Sequence, residues 1–260
     1  MRNNNNARWI RIFRTPYYTE QNLFCFHYAG GSNVMFNHWP SKLLPGIQLL
    51  APQLPGRGVR IQETPITDID ELVEKLLDSM QPFLGRPLSL FGHSMGALIA
   101  FELAHGIRKR FGASVDQLIV AGRSGPRISF KNGSVKTYQL PDREFIEELK
   151  LLNGTPALVF ENTDLLALTM PLIRADFQLA ETYQYRERNK LDCPITVLAG
   201  REDKTIECTE HLTQWQLETT GDCIVHSIPG DHFFINRSSD LILHKINNIL
   251  STRTRQAAAY

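Results

Sequence analysis

The sequence predicts an α/β fold: a mostly parallel central sheet with helices on both faces. Three observations carry this. Apolar runs of strand length recur, they are continuous rather than alternating, and helical patterns lie between them. A continuous apolar run suits a strand buried on both faces, as in a parallel sheet covered by helices. Strand–helix alternation is the order that builds such a sheet.

Taken along the chain, residues 23–28 form the first expected strand and 47–51 the second. A helix over 69–81 carries Leu72, Leu76 and Met80 on one face, and Pro82 ends it. The third strand is 88–91. It is followed by a helix over 95–111 with Leu98, Phe101, Leu103 and Ile107, then a strand at 117–121. Strands at 195–199 and 223–228 and a helix at 241–250 complete the alternation. The stretch 127–190 breaks the rhythm, with roughly sixty residues between two strands. It reads as helical at 143–152 and again at 164–185, where Pro171 is expected to kink or divide the helix. A connection this long usually carries function. It is expected to be a helical lid inserted into a single domain spanning 1–260. The plainer alternative is extra helices that cover the sheet. No internal repeat is present, and the run of asparagines at 3–6 is the only low-complexity segment.

Composition removes other classes. Apolar residues with glycine make up about 48% of the 260 residues, as in soluble globular proteins. Lys and Arg number 28 against 27 Asp and Glu, so no basic excess points to nucleic acid. The four cysteines, Cys25, Cys193, Cys208 and Cys223, form no C-x-x-C pair, which argues against zinc or a redox centre. The first residues lack the apolar core of a signal peptide, and no run is long enough to span a bilayer. The expectation is a cytoplasmic protein with free thiols, no membrane association and a loose tail at RQAAAY.

Gly92-His93-Ser94-Met95-Gly96 matches G-x-S-x-G, with a strand before it and a helix after it. The serine must sit on a very tight turn to project its Oγ into a cleft. Side chains two residues to either side would collide there. The same turn places the Met95 amide at a helix N-terminus, where it can stabilise an oxyanion. The bland reading is a serine in a structural turn.

A serine hydroxyl needs a base. In this motif's architecture the order is Ser, acid, His. Of eight histidines, His232 lies just past the last strand, in Pro229-Gly230-Asp231-His232, where the base belongs. His27 and His93 precede or adjoin the serine. His105, His211 and His244 fall in helical patterns as surface or packing residues, and His226 lies within a strand. The acid belongs after the strand at 195–199. Asp203 is favoured there, with Glu202 as its rival. Asp231 points elsewhere if His232 faces the serine, and Asp222 starts a strand. An aspartate at imidazole Nδ1 fixes the tautomer and stabilises the imidazolium. The second oxyanion donor belongs to the loop Phe26-His27-Tyr28-Ala29-Gly30-Gly31. Ala29 is favoured, with Tyr28 and Gly30 within a one-residue error.

Taken together, these residues resemble the type II thioesterases of non-ribosomal peptide and polyketide synthases, a branch of the α/β-hydrolases. The resemblance runs through FCFHYAGGS at 24–32, LPGRGVR at 54–60, LFGHSMGALIAFELA at 90–104 and AGRSGP at 121–126. It continues through LPDREFIEEL at 140–149, MPLIRADFQLAETYQY at 170–185, LAGREDK at 198–204 and PGDHFF at 229–234. The LPGR, IRADF and GDHFF segments discriminate most. The resemblance implies an α/β-hydrolase fold and a stand-alone enzyme that removes stalled or aberrant acyl groups from phosphopantetheinyl carrier proteins, as part of antibiotic or siderophore biosynthesis. It implies Ser94, Asp203 and His232 as a triad, Ala29 and Met95 as oxyanion amides, no metal and no cofactor. An acylated carrier protein would be the partner of a monomer. One departure is Asn153-Gly154-Thr155-Pro156, where the family often has two glycines before Thr-Pro. It bears on lid flexibility and acyl preference.

Several residues keep two readings. Leu158, Val159, Phe160, Leu165, Leu166, Leu168, Met170 and Phe177 are candidates for an acyl pocket, with a minority expected to touch substrate. Arg57 and Arg60 either bind a phosphate or an acidic partner, or anchor their loop; the anchoring role is favoured. Cys25 reads as a small buried residue. A general carboxylesterase is the rival activity, because fold and triad do not fix substrate. A non-catalytic binding module would not need the complete triad.

Overall fold

The structure, a computed structural model, describes residues 9–128 and 135–257, with no side-chain account of 252–257. The asparagine run at 3–6 and positions 129–134 of the expected lid lie outside the described residues.

Among the described residues seven strands form one sheet: β1 (Ile10–Arg14), β2 (Gln21–Phe26), β3 (Ile47–Pro52), β4 (Leu88–His93), β5 (Gln117–Ala121), β6 (Ile195–Gly200) and β7 (Cys223–Ile228). Their order is β1-β3-β2-β4-β5-β6-β7. Every pairing is parallel except β1 with β3. The six expected strands appear within two residues at each end. β1 is an addition. It is a five-residue edge strand, IRIFR, and only Ile10 is buried, so the apolar run that marks the central strands is missing.

The continuous apolar runs follow from burial on both faces. Phe24 and Phe26 point to one side with Leu90, Leu118, Val120 and Val197. Helices α1 (Ile69–Met80) and α2 (Met95–Phe111) pack there. Leu23 and Cys25 point to the other side with Phe91, Ile119 and Leu198, against Ile242, Leu243 and Ile246 of α8 (Ser239–Ala257). Cys25 is thus a packing residue, and burial pushes its thiol pKa up. α1 begins at Asp68, whose carboxylate accepts from the Glu71 amide at 2.9 Å. α2 ends on Gly112 in the left-handed conformation, with Arg108, Lys109 and Arg110 in its last turn facing the negative end of the helix dipole. α8 runs to Ala257, so the start of the RQAAAY tail is helical.

Between β5 and β6 lie α3 (Asp142–Leu152), α4 (Ala157–Glu161) and α5 (Thr163–Glu181). The five-residue α4 is too short to show a helical period in the sequence. α5 runs on through Pro171 rather than being divided there. Phe145, Leu149 and Ile173 make a small core of their own, joined by Phe160, Met170 and Phe177. Two further short α-helices are α6 (Thr209–Thr213) and α7 (Phe234–Arg237).

The departure at Asn153 has a local explanation. Asn153 caps α3 with φ of +60°, a left-handed conformation that asparagine tolerates better than other residues with side chains. Asn153→Gly is therefore expected to leave stability nearly unchanged. Asn153→Val should destabilise by about 1–2 kcal/mol, measured by urea unfolding. Equal stability of the two variants would show that the cap conformation is not under strain.

Candidate active site

The carboxyl ends of β2, β4, β6 and β7 each deliver one part of the site. β4 ends at His93, and Ser94 follows with φ of 55° and ψ of −112°, a strained turn for a residue with a side chain. The Ser94 amide donates to Ala121 O at 2.8 Å, tying the turn to the end of β5. The two motif glycines are required by close approach. A Cβ on Gly92 would lie 2.0 Å from Gly96 O, and one on Gly96 would lie 2.2 Å from Phe26 O. Gly96 therefore lets the start of α2 pack on the end of β2. That packing brings the Met95 amide and the Ala29 loop to one cavity, which both residues line with Ser94.

Asp203 follows β6 and His232 follows β7. The Ser94 hydroxyl donates to His232 Nε2 at 3.0 Å. His232 Nδ1–H reaches Asp203 Oδ2 at 2.9 Å and Thr205 Oγ1 at 3.0 Å. The other carboxylate oxygen accepts from the Thr205 hydroxyl at 2.7 Å and the Thr205 amide at 2.9 Å. Burial alone would raise the Asp203 pKa. The hydrogen bond and charge of His232 and the two bonds from Thr205 outweigh it and hold the carboxyl below its ordinary value. The structure thus brings together all three residues read from the sequence.

The rival acids are occupied elsewhere. Glu202 accepts from the Gly230 amide, and Asp231 accepts from the Phe233 amide at 2.9 Å. Among the candidate oxyanion donors, the Gly30 amide is already spent on Asp176 Oδ2 at 2.7 Å. Tyr28 and Ala29 both line the cavity with Ser94.

Two supporting residues escape a reading of the sequence: Thr205, and His93 in the role it plays here. Thr205 stands two residues after Asp203, the spacing of a side-chain turn, and that is the signal it offers. His93 Nε2–H donates to His232 O at 2.8 Å and so holds the backbone of the base. Burial, then the neighbouring His232, lowers the His93 pKa to about 3. Burial, then Arg57, lowers that of His27 to about 4. Burial, then Arg188 and Arg108, lowers that of His105 to about 3. These imidazoles are neutral in the folded chain and take a proton on unfolding below the ordinary value of about 6.5. The unfolded state binds more protons there, so stability is full above that pH and is lost as pH falls toward 4 and 3. Stability measured by urea unfolding is expected to drop between pH 7 and 5.5, by up to about 1.4 kcal/mol per pH unit for each histidine. A flat profile would mean that they titrate without penalty.

The cavity holds about 540 Å³. Leu149, Leu152, Ile173, Phe177 and Phe233 give it an apolar side, and Arg123, Glu181 and His211 a polar one. Of the eight candidate pocket residues only Phe177 lines it. Leu158 and Leu168 are exposed instead, at 63% and 56%. Helical periodicity identifies apolar residues here without showing which face turns inward. For the same reason the sequence places His211 on a surface or in packing, whereas it lines the cavity. Arg57 and Arg60 both anchor loops: Arg57 pairs with Asp176, and Arg60 pairs with Glu63 while lying 3.8 Å from the Trp9 ring centroid.

Comparison with known proteins agrees with this geometry. The thioesterase-domain family model matches residues 21–250. The chain is 36% identical over 249 residues to a Brevibacillus parabrevis protein named linear gramicidin dehydrogenase LgrE, covering 95% of this chain and 94% of that protein. It is 38% identical over 216 residues to the gramicidin S biosynthesis protein GrsT of Aneurinibacillus migulanus, covering 83% of each. Among solved structures, the type II thioesterase BorB from the borrelidin biosynthetic cluster superposes with a TM-score of 0.83 at 36% identity. That match covers 92% of this chain and 96% of BorB. This chain belongs to the thioesterase family, with the α/β-hydrolase fold of its type II thioesterase neighbours.

Proposed function

We propose that this chain is a stand-alone serine thioesterase that hydrolyses acyl groups from the phosphopantetheine arm of carrier proteins in non-ribosomal peptide or polyketide biosynthesis. The observation that carries the proposal is the Ser94–His232–Asp203 chain of hydrogen bonds at a partly apolar cavity of about 540 Å³. The names of the relatives point to the biosynthetic setting.

Ser94 Oγ attacks the thioester carbonyl carbon, and its proton passes to His232 Nε2. The carbonyl oxygen becomes an oxyanion facing the Ala29 and Met95 amides. The C–S bond breaks, and the departing sulfur takes the proton from His232. A thiol is a good leaving group, since its proton ordinarily comes off near pH ~8.5. Water then gives its proton to His232 and attacks the acyl-Ser94 ester. The acid leaves, and Ser94 recovers its proton. The acyl chain lies along Leu149, Leu152 and Phe177. The segment α3–α5 acts as a lid over it. Among the described residues no helix is long and apolar enough to cross a membrane.

Mass spectrometry of an acetyl-loaded phosphopantetheinyl carrier protein tests this. The acyl mass is expected to disappear on incubation with the protein. Persistence of acyl masses on both short- and long-chain carriers, with rapid cleavage of simple aryl esters, would make it a general esterase.

A further inference from the structure

Two of the segments that discriminate the family in sequence, LPGR and IRADF, have no part in the chemistry described so far. They meet beside the active site. Arg57 Nη2 donates to Asp176 Oδ1 at 2.7 Å and Arg57 Nη1 to Asp176 Oδ2 at 2.9 Å. Both residues are almost fully buried, at 4% and 2% exposure. A pair that serves only to tie its loop to α5 would need no further partners, but each half of this one also holds the turn after β2. Asp176 Oδ2 accepts from the Gly30 amide at 2.7 Å, and Arg57 Nη1 donates to Gly31 O at 2.8 Å.

The Gly30 N–H belongs to the peptide next to the proposed oxyanion donor, and the Gly31 carbonyl closes the same turn two peptides further on. The Ala29 N–H belongs to the peptide whose carbonyl is Tyr28 O. That carbonyl accepts from the Gly31 amide at 3.0 Å and from His27 Nδ1–H at 2.8 Å. A trans peptide points its N–H opposite its C=O, so fixing Tyr28 O fixes the direction of the Ala29 N–H. Gly31 holds that direction only while its own position is held, and Arg57 and Asp176 hold it from either side. Gly30 has φ of +75°, and a Cβ on it would lie 3.1 Å from Ile173 Cγ1, on α5 one turn before Asp176. The lid helix therefore both packs on the turn and supplies its acceptor.

We propose that Arg57 and Asp176 are positioning residues of the oxyanion hole: the buried pair holds Gly30 and Gly31 so that the Ala29 amide faces the carbonyl attacked by Ser94, and it does so only while α5 is docked. This rests on the reading of Ser94 as nucleophile and of the Ala29 amide as oxyanion donor. A positioning role separates from substrate binding and from folding, because the hole is used in the transition state and not in the ground state.

The test compares wild type with Asp176→Asn, which keeps the shape of the side chain but turns an NH2 group on either Gly30 or Arg57. A second variant, Arg57→Met/Asp176→Leu, removes both charges together, so that no unpaired buried charge remains to unfold the chain. Steady-state hydrolysis of an acyl-pantetheine thioester is measured, with the affinity for an alkyl trifluoromethyl ketone, whose adduct with Ser94 carries an oxyanion. Both variants are expected to lose roughly 10²-fold in kcat, with KM within about threefold of wild type. Ketone affinity should weaken by a similar factor, while the affinity for the corresponding fatty acid stays level. Two results would overturn the proposal: kcat within threefold of wild type in whichever variant folds, or a KM rise that accounts for the loss while ketone affinity is retained. Ser94→Ala run alongside separates the two readings. If it remains active, the nucleophile assignment fails. If it is inactive while the pair variants keep their kcat, only the positioning role fails.

Discussion

Replacing Ser94 by alanine is expected to lower the rate of thioester hydrolysis by on the order of 10⁴-fold or more while leaving the fold intact. The change removes one oxygen. The turn that presents it is held by the Ser94 amide bond to Ala121 O and by the contacts of Gly92 and Gly96, none of which involves the hydroxyl. Alanine must still adopt φ of 55°, as serine does, so the strain is unchanged. What disappears is the atom 3.0 Å from His232 Nε2, and with it the covalent route. Acyl-carrier binding should survive, because the cavity walls are untouched. Single-turnover mass spectrometry of an acylated carrier protein makes the comparison. Undiminished loss of the acyl mass in the variant would mean that water activated by His232 attacks the thioester directly.

Asp203→Asn should cost about 10³–10⁴-fold in kcat near neutral pH. The isosteric amide can keep the hydrogen bonds from Thr205 on its oxygen, so the loop after β6 should hold. Its NH2 group would then face His232 Nδ1 and favour the tautomer with the proton on Nε2, where a proton blocks abstraction from Ser94. The imidazolium would also lose the carboxylate that stabilises it. In wild type the contacts from His232 and Thr205 outweigh burial and hold the Asp203 carboxyl below its ordinary value, which favours the charged form that the amide lacks. The pH–rate profile of kcat is the measurement. A variant within tenfold of wild type at pH 7 would show that Thr205 or another group orients His232 without the charge.

The parts of the site legible in the sequence are those with local causes. Gly92 and Gly96 are required by contacts within a few residues of the turn or with the adjacent strand end, and Ser94 inherits its exposure from that turn. Asp203 and His232 are legible because each is a suitable side chain just past a strand that an unbroken apolar run already marks. The acid is harder to read than the base, since Glu202 is adjacent. It is the Gly230 amide, brought in from the neighbouring loop, that occupies Glu202.

Apolar periodicity and short-range sterics act over a few residues, so the central strands, the main helices, the strained serine turn and the order of nucleophile, acid and base are all written in the chain. Long-range packing settled the rest. It paired IRIFR antiparallel at the sheet edge, turned Phe177 but not Leu168 into the cavity, and kept α5 whole through Pro171. It also brought Arg57 to Asp176, 119 residues further along the chain. From the sequence, Arg57 could have anchored its loop or met a phosphate or an acidic partner. Its partner was decided only when folding buried both charges in one place, where each had to find the other.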